Sequence, residues 1–161
     1  MKVDIGITET NSDAVIEILN RLLSDENMLY IRTKNYHWNV TGPQFNDLHR
    51  FFEVQYNDLN RIIDYLAERV KSLGGMSLGT VAEFLRYARL DEKPGEYSHA
   101  REMVSSLLSA HETIIRFLRE DLEACADKHG NKGIAIFLTG LMERHEMMAW
   151  MLRAYLEGIS V

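Results

Sequence analysis

Between residues 43 and 75 the chain carries Phe45, Leu48, Phe52, Leu59, Ile62, Ile63, Leu66, Val70 and Leu73 at helical spacing. That pattern is the mark of an amphipathic helix with one continuous apolar side. Gly42 ends what comes before, and Pro43 suits a first helical position, where its missing N–H costs nothing. Gly74, the first of a Gly74-Gly75 pair, supplies a left-handed stop. Five side chains able to bind a metal lie in or beside this helix: His37, His49, Glu53, Asp64 and Glu68.

His49 and Glu53 are i,i+4 neighbours, as are Asp64 and Glu68. At about 100° per residue, the step from 49 to 64 returns to within roughly 60° of its starting direction. The two pairs therefore share broadly one face. A rise of ~1.5 Å per residue still separates them by roughly 22 Å along the axis, too far for one metal ion. Either they are two poor half-sites, or a second copy of the helix runs antiparallel and brings 49/53 of one chain against 64/68 of the other. A twofold axis crossing near residue 58 would do this and would build two equivalent sites.

In order and spacing, His37-Trp38-Asn39-Val40, Gly42-Pro43-x-Phe45, His49-x-x-x-Glu53, Asp64-x-x-Ala67-Glu68-Arg69 and Leu73-Gly74-Gly75 resemble the Dps proteins, the mini-ferritins. The motifs cover about forty residues, and the helix layout elsewhere is compatible. The resemblance implies a ferroxidase centre made between two subunits, with His37, His49 and Glu53 from one chain and Asp64 and Glu68 from its partner. The commonest family pattern has Asp four residues after the second His; Glu53 stands here with a longer arm. The resemblance further implies that Fe(II) is oxidised there, preferably by hydrogen peroxide with dioxygen as the other oxidant. Ferric oxyhydroxide is then stored in a hollow homo-dodecamer, which protects against oxidative stress. In that family the residue at Trp38 lies close to the metals, so packing and interception of oxidising equivalents are both open for it.

A chain of 161 residues with 46% apolar side chains and two prolines is expected to be one all-α domain over residues 1–161, with 1–10 a short N-terminal arm. The first helix is expected to start after Thr10 or Ser12 and to run to about Trp38. Thr80-x-x-Glu83 is a capping box for a small helix carrying Val81, Phe84, Leu85 and Ala88. Asp91 to Gly95 reads as a turn. A third long helix follows from about Ser98 to Asp127, with Met103, Val104, Leu107, Leu108, Ile114, Ile115, Leu118, Leu122 and Cys125 inward. Gly130-Asn131-Lys132-Gly133 breaks it, and the fourth covers about 134 to 157. This is the pattern of a ferritin-like four-helix bundle, with the short extra helix in the connection between helices two and three.

Each polar residue also has a plainer reading. His37 alone is a helix-end cap or core histidine, His49 with Glu53 an ordinary helical pair, and Asp64 with Glu68 a solvated acidic face near Arg61 and Arg69. His111-Glu112 and His145-Glu146 lack the His-Glu-x-x-His pattern and read as polar contacts in or beside the core rather than a second metal site. His99 and His129 read as solvated. Trp150 and the methionines Met142, Met147, Met148 and Met151 read as core. Glu120, Asp121, Glu123 and Asp127 read as a solvated face, or, by resemblance, as lying near an iron-entry pore.

One Glu-x-x-His string, Glu96 to His99, occurs without a second copy, which disfavours a di-iron site inside one bundle, the alternative ferritin-like arrangement. A nucleoid-binding structural protein is the other alternative. A formal net charge of −6 opposes a polyanion, and the arm offers only Lys2, so no tail-based DNA clamp is expected. The lone Cys125 and the lack of a leader-like or 20-residue apolar stretch in residues 1–30 make the cytoplasm the default, with no membrane partner.

Overall fold

The computed structural model describes residues 3–92, 94–95 and 99–158. Four long helices, α1 (Glu9–Asn39), α2 (Phe45–Ser72), α4 (Ala100–Glu123) and α5 (Lys132–Glu157), form the bundle, and a short α3 (Val81–Tyr87) lies in the connection after α2. A single π-helical turn, Ala124–Lys128, extends α4. The expected all-α, ferritin-like architecture with its extra helix is the one observed.

α1 begins earlier than expected. Thr8, not Thr10 or Ser12, is the N-cap, its hydroxyl accepting from the Asn11 N–H at 3.3 Å. Pro43 sits in the turn before α2 rather than at its first position; that turn is closed by the Phe45 N–H donating to Gly42 O at 3.0 Å. At the other end Gly74 adopts φ 87°, as a left-handed stop requires. Gly75 is needed for a different reason: a Cβ there would lie 2.9 Å from the Ile16 side chain. Asn131 caps α5, accepting from the Ile134 N–H, so Gly133 belongs to the helix instead of breaking it. Of the Glu96 to His99 string, Glu96, Tyr97 and Ser98 lie outside the described residues.

α1 packs on α2 and α4 on α5 as two hairpins. Tyr36 on α1 donates to Ser106 Oγ on α4 at 3.0 Å, while Arg89 joins Asp25 to Asp121 further along both helices. α1 and α4 are therefore antiparallel, α2 and α4 parallel, and the chain between them crosses the length of the bundle. Val15, Leu22, Leu29, Leu48, Phe52, Leu59, Leu66, Leu107, Ile114, Leu118, Leu138 and Leu152 fill the interior. Leu108, Ile115 and Leu122, expected inward, are half-buried.

The crossover is held by polar side chains. Asn20 donates to Met76 O and accepts from the Leu78 N–H. The capping box of Thr80 and Glu83 forms as expected. Arg89 spans Asp25 at 2.8 Å and Asp121 at 2.9 Å with its guanidinium over the Phe117 ring, and Asp25 also accepts from the Leu90 N–H. Burial pushes the Asp25 and Asp121 carboxyls upward, while the arginine's charge and hydrogen bonds pull them down. Asp121 is thus a buried structural partner, not part of a solvated acidic face.

Several surface expectations also change. Trp150 is 59% exposed, and Met147 and Met151 are exposed too; of the α5 methionines Met148 is core and Met142 is half-buried against the core. His129 is buried, its Nδ1 3.5 Å from Asn11 Oδ1, whereas His99 is exposed as expected. Trp150 is off the Met148–Leu152 stripe of α5, whereas His129 sits after the π-helical turn, where helical phase no longer applies.

Candidate metal centre

The α1–α2 hairpin brings His37 and His49 face to face, with ring centroids 3.8 Å apart and planes 21° from parallel. Each ring points Nδ1 at the other residue's backbone carbonyl: His37 Nδ1 lies 2.7 Å from His49 O, and His49 Nδ1 lies 2.8 Å from His37 O. A carbonyl can only accept, so both Nδ1 atoms carry a proton, which leaves Nε2 as the nitrogen of each ring that a metal could take. This arrangement orients imidazoles as metal ligands. Glu53, one turn after His49 on α2, is exposed, and the Tyr56 hydroxyl approaches its Oε1 at 3.5 Å. Tyr56 also packs edge-on against His37 at 5.3 Å.

Asp64 and Glu68 occupy the far end of the same helix, both exposed. The nearby arginines do not neutralise them. Arg61 pairs with Asp58 at 3.0 Å, and Arg69 lies over the Phe137 ring. The exposed side of α2 also carries Val54, next to Glu53, and Tyr65, next to Asp64, while α3, which packs on α1, leaves Val81 and Leu85 in solvent without one buried residue of its own. So His37 and His49 are brought together with Glu53 one turn along α2, whereas Asp64 and Glu68 are not brought to them within the chain. Among the described residues, no group of three His, Cys, Asp or Glu side chains of a single chain is arranged to hold a metal.

Trp38 is 65% exposed, so packing inside its own chain does not explain it. Its ring instead flanks the Lys34 ammonium, which also lies over Tyr30 and Tyr56. Sequence reading missed Tyr30, Lys34 and Tyr56; the i,i+4 run 30-34-38 and the step from Glu53 to Tyr56 were the available signals.

A second polar cluster lies in the middle of the bundle. His111 Nδ1 is 3.0 Å from His145 Nδ1, and His145 Nε2 approaches Glu26 Oε1 at 2.8 Å, an approach too oblique for a well-formed hydrogen bond. All three residues are wholly buried. Glu26 and His111 address opposite nitrogens of one ring, so the three do not converge on a point. This is the core polar contact expected of the two histidines, with Glu26 as the member the sequence did not reveal. Burial, reinforced by His145, holds His111 well below its ordinary pKa and therefore neutral.

Comparison with known proteins agrees with this architecture. The ferritin-like domain family matches residues 16–160. The chain is 45% identical over 157 residues to an uncharacterized low temperature-induced protein of Nostoc sp. PCC 7120, covering 98% of this chain and 88% of that one. It is 38% identical over 143 residues to a DNA protection during starvation protein of Brevibacillus brevis, covering 89% and 95%. The crystal structure of a Vibrio cholerae O1 Dps protein, described as a member of a superfamily of ferritin-like diiron-carboxylate proteins, superposes with a TM-score of 0.89. Its identity is 30%, with 96% of each chain covered. The chain is therefore a ferritin-like bundle protein. Within that class it belongs to the Dps family. No helix among its described residues is long and apolar enough to cross a membrane.

Proposed function

We propose that the protein oxidises Fe(II) at sites shared between twofold-related subunits and stores the ferric product, limiting oxidative damage. The observation that carries this reading is the split ligand set. Two imidazoles with Nε2 turned away from their shared hydrogen bonds and one carboxylate stand at one end of the exposed face of α2, and two carboxylates without an ion-pair partner among the described residues stand at the other. Val54 beside Glu53 and Tyr65 beside Asp64, both exposed, together with the exposed Val81 and Leu85 of α3, support a second copy as what covers these apolar side chains. An antiparallel copy would bring His37, His49 and Glu53 against the partner's Asp64 and Glu68.

Two imidazoles and three carboxylates form a mostly hard donor set that suits Fe(II) and Fe(III), unlike a closed structural zinc site. The carboxylates offset the charge that iron gains on oxidation. Two Fe(II) ions supply the two electrons that, with two protons, convert one hydrogen peroxide to two waters, so no hydroxyl radical is released. Dioxygen is the other oxidant. The ferric oxyhydroxide grows inside a hollow dodecamer in the cytoplasm. The bundle acts as scaffold, and the chemistry belongs to the interface.

The Brevibacillus relative's name speaks of DNA protection. Here we assign such protection to the removal of Fe(II) and peroxide: the described arm from Val3 to Thr8 holds no cationic side chain, and the net charge of −6 opposes a polyanion. The test is peroxide-driven Fe(II) oxidation by wild type, His49→Ala and Asp64→Ala. Loss of fast oxidation in each variant is expected; rates unchanged by both would overturn the reading.

A further inference from the structure

Beside the paired histidines the chain builds a cage around one positive charge. The Lys34 ammonium lies 5.2 Å from the Tyr30 ring centroid, 5.4 Å from that of Trp38 and 5.5 Å from that of Tyr56. It also donates to the Tyr30 hydroxyl at 3.2 Å. No carboxylate of the described chain pairs with it, so the three rings are its company. Tyr30 and Tyr56 meet edge to face at 6.1 Å, and Tyr56 touches His37. The cluster is thus continuous from the histidines to the exposed indole of Trp38.

A cation over an aromatic face is attracted to the ring's electrons. Removing one of those electrons turns the attraction into repulsion, so a ring under a cation is harder to oxidise than the same ring alone. We infer that Lys34 is a positioning residue that protects this cluster from oxidation, keeping one-electron oxidising equivalents on iron and off Tyr30, Tyr56 and Trp38. The inference rests on the ferroxidase reading for its biological sense, though the effect itself belongs to the protein without iron. The step that Lys34 opposes is defined. A single Fe(II) and one tyrosine each give one electron to hydrogen peroxide. With the phenolic proton and one further proton, peroxide becomes two waters, leaving Fe(III) and a neutral tyrosyl radical. Glu53, which the Tyr56 hydroxyl approaches, is the group placed to relay that phenolic proton towards peroxide.

The test compares wild type, Lys34→Met, which keeps the chain's length without its charge, and Lys34→Arg, which keeps the charge. Iron-free protein is exposed to a photogenerated ruthenium(III) tris-bipyridine oxidant, and Trp and Tyr radical yields are read by transient absorption, with circular dichroism confirming that each variant is folded. Lys34→Met is expected to raise the radical yield roughly two- to fivefold, the size of one cation–π contact, and Lys34→Arg to stay near wild type. Equal yields in Lys34→Met and wild type would overturn the inference, as would a rise of the same size in Lys34→Arg. Should Lys34→Met not fold, the pair Lys34→Arg and Lys34→Gln is read in the same way. Because no iron is present, this result is independent of the iron-oxidation assays on His49→Ala and Asp64→Ala.

Discussion

His37 and His49 hold one another in place: each imidazole donates Nδ1–H to the other's main-chain carbonyl, and the two rings stack at 3.8 Å. Neither side chain is positioned independently. Removing one deprives the other of its stacking surface and disturbs the carbonyl that fixes its tautomer.

The first prediction follows from that coupling. His37→Ala should weaken binding of Co(II), a slowly oxidised stand-in for Fe(II), by more than one lost ligand, adding the roughly 10- to 100-fold cost of a mis-oriented second imidazole. The double variant His37→Ala/His49→Ala should then cost less than the sum of the singles. Calorimetric titration of the four proteins reads this directly, and strict additivity would show that the rings act separately.

Arg89 joins the crossover to two helices through carboxylates that are themselves nearly inaccessible, Asp25 at 0% and Asp121 at 10% side-chain exposure. Arg89→Met would leave Asp25 without its counter-charge and Asp121 with Arg21 alone, and a broken buried pair costs about 3–5 kcal/mol. Urea unfolding should show a loss of that order. A loss within about 0.5 kcal/mol, the range of ordinary surface changes, would mean that the bridge contributes little.

The buried His111 makes stability depend on pH. Its folded pKa lies well below the ordinary 6.5, chiefly through burial. As pH falls below that value the unfolded chain takes up a proton that the folded chain refuses, so the unfolded state gains. Stability is thus fully present above about 6.5 and declines as pH falls towards the folded pKa, by up to about 1.4 kcal/mol per unit for one group. Thermal melts of wild type against His111→Leu between pH 7 and pH 5 should diverge in slope, the variant being flatter. Parallel slopes would contradict this assignment.

Much of the fold could be read from the chain because its apolar side chains recur at 3.6-residue spacing over four long stretches, and because Thr80, Glu83 and Gly74 mark their own local geometry. The five candidate ligands could be singled out because four of them form i,i+4 pairs on one helix and His37 adjoins the turn before it. What stayed hidden depends on contacts distant in sequence. Nothing local marks Asp25 and Glu26 as interior, since their partners, Arg89 and His145, lie 64 and 119 positions away. The tautomers of His37 and His49 depend on a hairpin register that no residue count reveals. Trp150 lies about 200° round α5 from the buried Met148 and Leu152, so helical phase already turns it outward, and a core reading rests on its apolar size alone.

Subunit mixing bears most directly on the shared site. His49→Ala and Asp64→Ala chains, each inactive alone, are unfolded together, refolded and assayed for peroxide-driven Fe(II) oxidation. If a site takes histidines from one chain and carboxylates from another, random pairing leaves about one site in four intact, and roughly that fraction of wild-type activity should return. A mixture as inactive as its parents, despite proven exchange of subunits, would place all the ligands in one chain and contradict the shared centre.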